Sequence, residues 1–555
     1  MTSTSLRHPK DTPELRKERG AFFTPAGITE FVAKWAIRAS ADRVMEPSAG
    51  DAAFLVAAVE RLSKLRRRKG SEPEVDGVEI HAHSAKVARQ RVREAGGKAH
   101  VRQSDFFDVA PEPVYDAVIG NPPYIRYQNF SGEARAKSRQ AALRGGIALT
   151  GLASSWAAFT VHSALFLKQG GRLGLVLPAE LLSVNYAAPV RQFLFQRFRK
   201  VELVLFAEQV FPEAEADVVL LLAEGYGEGP AGHAIIRQAK NADSLATLEA
   251  GQTWKPTNPA SKWTSSLVDQ EALDALGALT QGGHFAPLEA WGDTTLGIVT
   301  GNNKYFAVSP ARAKELGLRS AELLPLSPPG SSHLRGLALT LERLADLGKD
   351  GQSTRLFYPR GKPSVAADAY IEDGHRTGVD TAYKCRVRKI WYRVPLVRPA
   401  DLLLTCMNAD TPRLVANEAE AYHLNSVHGV YLKTDEREIG RELLALASLN
   451  SVTLMHAEMV GRAYGGGILK LEPKEADLWA IPSVSLVRAR SAALRAVKKQ
   501  AADLLGKGDL LGAVDLVDRV LLMDGRILSR EQIGQIRAAR ELLASRRVAR
   551  STSGR

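Results

Sequence analysis

Apolar and polar positions follow two rhythms through the first two-fifths of the chain. Short apolar runs at Arg43–Met45, Val75–Ile80, Lys98–Arg102, Tyr115–Ile119, Gly171–Leu177, Lys200–Phe206 and Ala216–Leu222 read as strands. Stretches with a helical period separate most of them, Thr29–Ala39 and Phe54–Leu65 among them. Alternation at this spacing predicts a doubly wound α/β domain over 20–262, preceded by a polar segment, 1–19. Residues 223–265 change character, with the Gly-, Pro- and Asn-rich stretches GYGEGPAGH and WKPTNPASKW; they read as last strands followed by a linker. Residues 263–483 mix short strands with many Pro and Gly, an α+β pattern, and 484–555 is almost wholly helix-forming.

Composition narrows the class. The chain has 555 residues, 45% hydrophobic and 24% charged, ordinary for a globular protein of several domains. Its two cysteines, Cys385 and Cys406, form no CxxC, which excludes a disulfide scaffold and a cysteine-built zinc site. No long uncharged apolar run predicts a membrane span, and the polar N-terminus is not a secretory signal, so a cytoplasmic protein is expected. The net charge is +13, of which +8 lies in 484–555. A balance this basic points to a polyanionic partner or to an Arg-rich proteome.

The chemistry gathers at predicted strand ends, where open α/β sheets bind ligands. Asn121-Pro122-Pro123-Tyr124 follows the run Val114–Ile119 and Gly120. Two prolines remove two backbone donors and leave a stiff loop of carbonyl acceptors beside one amide side chain. Such a loop suits an exocyclic amine, with the Asn121 amide oxygen and the Pro122 carbonyl each accepting one hydrogen. Tyr124 offers a flat face to a planar base. The same tetrapeptide is compatible with an ordinary turn. Upstream, Glu46-Pro47-Ser48-Ala49-Gly50-Asp51 reads as strand end, tight turn and helix start. A second strand ends in Glu79-Ile80, where an acid typically takes ribose hydroxyls, and a third is followed by Asp105-Phe106. Each acid alone is an ordinary solvated carboxylate; three at consecutive strand ends before NPPY form a pattern.

The order Phe23-Thr24-Pro25, EPSAGDAAFL, GVEI, SDFFD and GNPPY resembles the N6-adenine DNA methyltransferases of restriction–modification systems, and within them the TaqI-like group. The resemblance covers Gly20 to about Leu222 well and the C-terminal half loosely. It implies a Rossmann-like methyltransferase domain followed by a target-recognition domain. S-adenosyl-L-methionine would be the methyl donor, with no metal. Thr24 would lie in the segment over the donor's methionyl group, and Glu46 with the Ser48, Ala49 and Gly50 backbone would hold its amino acid end. Glu79 would take the ribose hydroxyls and Ile80 would pack on the adenine. Asp105 and Phe106 would contact the adenine amine and ring. Asn121, Pro122 and Tyr124 would hold the target amine, with Phe211 packing on the target base opposite Tyr124. Two departures, His81-Ala82 after GVEI and Ala53 in the glycine-rich loop, leave the ribose contacts open.

In the second half, Gly297–Lys304 resembles the opening of the family's target-recognition domain. Lys304, Arg386, Arg388, Lys389, Trp391 and Arg393 interleave cations with an aromatic, as phosphate and base-edge contacts require; a solvated basic face has the same pattern. Tyr464–Leu471 is Gly-rich without the GKS/T of a P-loop, and His423 and His428 read as structural. No Pro-Cys pair supplies the nucleophile of cytosine-C5 methylation, and N4-cytosine enzymes usually carry Ser where Asn121 stands. No nuclease motif precedes Gly20, so the expected partners are double-stranded DNA and a separately encoded restriction endonuclease, the enzyme itself being a monomer. Competing readings are a methyltransferase for rRNA guanine or protein glutamine, and a non-catalytic DNA-binding specificity protein. The first leaves the residues after Lys262 without a task; the second sits badly with an intact set of acids and NPPY.

Overall fold

The computed structural model describes residues 24–66, 72–125, 132–208, 210–211, 218–256, 258–464 and 466–552. The polar segment 1–19, Phe23, Gln209, Pro212, Ala216 and Gly465 therefore lie outside the described residues. The chain divides into two compact units, one of residues 1–267 with 549–555, the other of 268–548.

The first unit is built on a nine-stranded sheet. Its elements are α1 (Ala26–Ala36), β1 (Val44–Glu46), α2 (Ala53–Leu65), β2 (Glu74–Glu79), α3 (Ala82–Glu94), β3 (Lys98–Gln103), β4 (Tyr115–Gly120) and α4 (Gly132–Arg144). They continue with α5 (Ser155–Ala164), β5 (Leu167–Pro178), α6 (Ala188–Arg197), β6 (Phe198–Phe206), β7 (Val218–Tyr226), β8 (Ala234–Ala239) and β9 (Gln252–Trp254). The strand order is β3-β2-β1-β4-β5-β7-β6-β8-β9. The pairs from β3 to β5 are parallel, and β7 runs antiparallel between β5 and β6. The chain leaves β1 toward one edge and returns to β4 on the other side, with Met45 beside Val118. This reversal puts the loops after β1 and β4 side by side at the strands' carboxyl ends, the usual ligand crevice of such sheets.

The sequence accounts for these elements. Ala117, Val118 and Ile119 of β4 are wholly buried, as an uninterrupted apolar run between two parallel neighbours must be. Ile28, Val32, Ala33 and Ala36 form the buried stripe of α1, spaced for one helical face. That helix ends three residues before the expected Ala39. The Asp42 carboxylate accepts the backbone N–H groups of Arg38 and Ala39, at 2.8 and 3.2 Å, and turns the chain toward β1. Residues 223–265 carry the end of β7, then β8 and β9, and Trp254 and Trp263 pack edge-on against Phe195.

The second unit is α+β. Its largest sheet contains β10 (Gly292–Leu296), β11 (Leu402–Thr405), β12 (Leu414–Ala416) and β13 (Val427–Leu432), in the order β10-β13-β11-β12. The Gly-rich stretch at 464–471 is the turn and return strand of a hairpin, β14 (Arg462–Tyr464) with β15 (Ile468–Lys470). The helical tail is no separate domain. Helices α7 (Ser451–Val460), α8 (Leu510–Asp518) and α9 (Arg530–Thr552) share buried polar bonds. Asp518 accepts from the Ser451 backbone and hydroxyl and from Arg537, and Arg547 meets Glu458 through two bonds of 2.8 and 3.0 Å, both side chains nearly inaccessible. Among the described residues no single helix is long and apolar enough to cross a membrane.

Candidate active site

The loop after β1 is set by three anchors. The Ala49 N–H reaches the Val78 carbonyl at 2.9 Å, the Gly50 N–H bonds Glu79 Oε2 at 2.8 Å, and Arg91 of α3 pairs with Asp51 at 2.7 Å. The Ala49 and Gly50 donors are thus bound within the protein and are not offered to a ligand, contrary to the sequence expectation. Gly50 instead offers close approach: its φ is +49° and no atom lies within 4 Å of where a Cβ would stand. Ala52, fully buried at the start of α2, also adopts the left-handed region, at φ 65°. The loop's glycine requirement thus falls on Ala52 rather than Ala53. Arg91 carries no signal in the sequence, since it meets Asp51 across 40 positions.

The acids occupy the predicted strand tips. Glu46 is buried, and its Oε2 has no hydrogen-bond partner. Burial, with nearby Asp51 adding to it, pushes its carboxyl well above the ordinary carboxylate range, partly opposed by the Leu55 backbone N–H. Glu79 accepts from Gly50 N–H and, at 2.9 Å, from His81 N–H, so it orders the loop as well as facing the crevice. Ile80 beside it is 56% exposed, an apolar platform at a strand end. Asp105 Oδ1 caps the following turn through Phe107 N–H at 3.0 Å. Phe106 departs from expectation. It is buried, with its ring stacked against Phe159 and Phe166 at 5.2 and 5.3 Å and edge-on to His162, so it belongs to the core. The apolar stretch carrying it reads the same whether its first ring faces outward or inward.

The tetrapeptide sits where β4 ends. Asn121 Nδ2 lies 3.1 Å from Thr24 Oγ1, and Asn121 Oδ1 lies 2.6 Å from the Tyr124 hydroxyl. That hydroxyl also lies 3.0 Å from the Val176 carbonyl of β5, so its single proton has two acceptors. Burial raises the phenol well above its ordinary pKa, which keeps the proton in place. The Tyr124 ring is partly buried against the core, and Phe211 is a buried member of the same cluster. Phe211 is therefore packed as core here, with no open face toward a base. Thr24 and Asn121, 97 positions apart, are brought into contact, which the sequence did not indicate.

In the second unit the six expected DNA contacts separate. Lys304, Arg386 and Lys389 are exposed. Arg388 is not available: its guanidinium donates to the carbonyls of Val299, Thr300 and Trp391 at 2.8, 2.7 and 3.2 Å. Trp391 packs against Tyr305 and Phe306 in a core, and Arg393 donates to the Gly361 carbonyl. Three cations missed in the sequence, Arg319, Arg360 and Lys362, line one concave surface, and none of them makes an ion pair among the described residues. Folding brings Arg319 to the pair Arg360 and Lys362, which are two positions apart in sequence. His428 bonds the Leu471 carbonyl and His423 is buried beside Gly429, both structural; Cys385 and Cys406 are buried free thiols.

A sheet with a parallel centre, switching direction between β1 and β4 and bearing acids at the ends of β1 and β2, is the doubly wound arrangement that binds ligands at its strand ends. Sequence comparison matches residues 10–239 to the N-6 DNA Methylase family and 260–522 to the C-terminal domain of the Type II methyltransferase M.Eco57I. The chain is thus similar to N6-adenine DNA methyltransferases over its first part and to a Type II methyltransferase over its second. It is similar to the Type II methyltransferase M.AccI of Acinetobacter calcoaceticus, 24% identical and covering 83% of this chain and 85% of that protein. It is likewise similar to M.XamI of Xanthomonas campestris pv. amaranthicola, 27% identical with 85% and 86% covered. Among solved structures, the Type IIL restriction-modification enzyme MmeI, solved with DNA, aligns over 94% of this chain and 75% of its own length. Its TM-score is 0.53 and its identity 11%, a likeness of fold.

Proposed function

We propose that the protein is a site-specific DNA methyltransferase of the TaqI-like kind. It would transfer a methyl group from S-adenosylmethionine to the N6 amine of an adenine turned out of double-stranded DNA. It would act as the modification partner of a separately encoded restriction endonuclease. The observation that carries this is the Asn121 amide at the tip of β4, next to the β1 loop, with its nitrogen at Thr24 and its oxygen turned to the Tyr124 hydroxyl as an acceptor. The donor site supports the reading: a buried carboxylate oxygen without a partner on Glu46, open space at Gly50 and an exposed apolar Ile80 suit an ammonium, a close backbone approach and an adenine face.

The donor supplies an electrophilic methyl on a sulfonium, so no protein nucleophile is needed. The chain's residues bind and orient. Asn121 Oδ1 and the Pro122 carbonyl accept the two hydrogens of the amine, drawing its lone pair out of conjugation and toward the methyl group. When the amine arrives, the Tyr124 O–H keeps its proton and turns its hydrogen bond to the Val176 carbonyl, which frees Oδ1. Stacking of the base between Tyr124 and Phe211 requires the Phe211 ring to leave the core cluster it belongs to, while Tyr124, only partly buried against that cluster, keeps its hydroxyl at the Val176 carbonyl. Lys304, Arg386 and Lys389, with Arg319, Arg360 and Lys362, are the cations free to meet phosphates.

The test is transfer of radiolabelled methyl groups to unmethylated DNA, with the product nucleoside identified by mass. N6-methyladenine is expected, and Asn121→Ala should lower the rate by about 10²–10³-fold or more, the usual cost of losing one preorganised hydrogen-bonding group. N4-methylcytosine as the product would overturn the base assignment. Methylation of rRNA or of a protein glutamine, with DNA untouched, would overturn the substrate.

A further inference from the structure

Two hydroxyl groups from outside the tetrapeptide meet it, and each takes a different atom. Ser155, the first residue of α5 and almost wholly buried, accepts the Ile125 N–H at 2.9 Å on its hydroxyl oxygen. Its own proton then has one place to go, the Pro123 carbonyl within bonding distance. The Ser155 N–H adds a bond to the Ile125 carbonyl at 3.1 Å. Ser155 thus holds the residues on both sides of Tyr124. At the other end, Thr24 Oγ1 lies 3.1 Å from Asn121 Nδ2. Neither residue touches the position of the target amine.

We propose that Thr24 and Ser155 are positioning residues of methyl transfer. Thr24 anchors the Asn121 amide at its nitrogen while the Tyr124 O–H donates to its oxygen, and Ser155 occupies the Pro123 carbonyl with a hydrogen bond. The acceptor pair presented to the amine is then Asn121 Oδ1 with the Pro122 carbonyl, to which no donor among the described residues bonds. The inference rests on the proposed reading of the loop, and its chemistry is specific. An amide turned by 180° would aim two N–H donors at an incoming amine. A free Pro123 carbonyl would offer a second acceptor one residue along, and the amine could bind with its lone pair misdirected. The prolines make outside help necessary, because with no N–H of their own they cannot lock the loop by internal backbone bonds.

The experiment compares Thr24→Val, Thr24→Ser and Ser155→Ala with wild type and with Asn121→Ala. Thr24→Val keeps the shape and removes the hydroxyl; Thr24→Ser keeps the hydroxyl. The expected result is a fall in kcat of about 10–100-fold in Thr24→Val and Ser155→Ala, as for a displaced reacting group. The KM for DNA should stay at the wild-type value in both variants and the calorimetric Kd for S-adenosylmethionine at it in Ser155→Ala, and Thr24→Ser should retain most of kcat. Unchanged kcat in Thr24→Val and Ser155→Ala, or a loss in Thr24→Val confined to donor Kd, would overturn the assignment. If Ser155→Ala proves too unstable to assay, the Thr24 pair decides the matter by the same criteria. Should Asn121→Ala remain active, the reading of the loop itself falls. Should it be inactive while the Thr24 and Ser155 variants are normal, only the positioning roles fall.

Discussion

The loop Asn121–Tyr124 and the segment Tyr383–Arg393 are built from similar materials, aromatic rings beside polar or cationic side chains, yet the fold uses them in opposite ways. In the first, the polar atoms sit at the end of a buried strand and neighbouring groups sort them toward one opening. In the second, Arg388 and Arg393 turn back onto backbone carbonyls and Trp391 enters a core, so two of the five cations and the tryptophan serve the segment's own shape. A strand end has a direction that the sequence reveals. An irregular segment must satisfy its own carbonyls first, and a guanidinium with five donors is the readiest means.

The contrast has a direct test in adjacent arginines. Arg388→Ala should lower the stability of the protein by about 2–4 kcal/mol, since three carbonyls lose a charged donor. Arg386→Ala should leave the melting midpoint alone and make the slope of log K for DNA against log salt shallower by about 0.9. Equal effects of the two on DNA binding, with no change in melting, would erase the distinction. Next comes Glu46, whose carboxyl is raised in the fold above its unfolded value, so the folded state disfavours its ionised form. Its penalty is absent at acid pH and grows as pH rises above the ordinary carboxylate range, each pKa unit being worth about 1.4 kcal/mol. Glu46→Gln should therefore gain thermal stability over wild type between pH 5 and 8 while binding S-adenosylmethionine more weakly in calorimetry. A variant losing stability at neutral pH would show that the carboxylate is welcome there. The smallest effect belongs to Ala52. Ala52→Gly should stabilise by about 0.5–1 kcal/mol by relieving a left-handed alanine, read by urea titration; a fall would mean the turn holds alanine without strain.

The positions of the strands, the acids at strand tips and the position of NPPY were legible because period and punctuation report direction. Phe106 and Phe211 were not, because an aromatic at the right spacing has the same letter whether its ring faces a ligand or a core. Arg91 and Ser155 were invisible because their partners lie far along the chain and a lone arginine or serine carries no pattern. Arg319, Arg360 and Lys362 escaped for the same reason, and Thr24 was assigned to the donor segment with no hint of its contact with Asn121.

The Arg547–Glu458 pair bears on how this protein can be dissected or recombined. A graft that exchanged the second unit only as far as residue 483 would remove α9 and leave Glu458 as a lone charge in a dry interior, a change that typically costs about 3–5 kcal/mol. Asp518, held by Ser451 and Arg537, would vanish along with the same cut. The interchangeable module therefore has to run from about 268 to 548, helices included, and chimaeras cut at its inner seam should aggregate rather than acquire a new sequence preference.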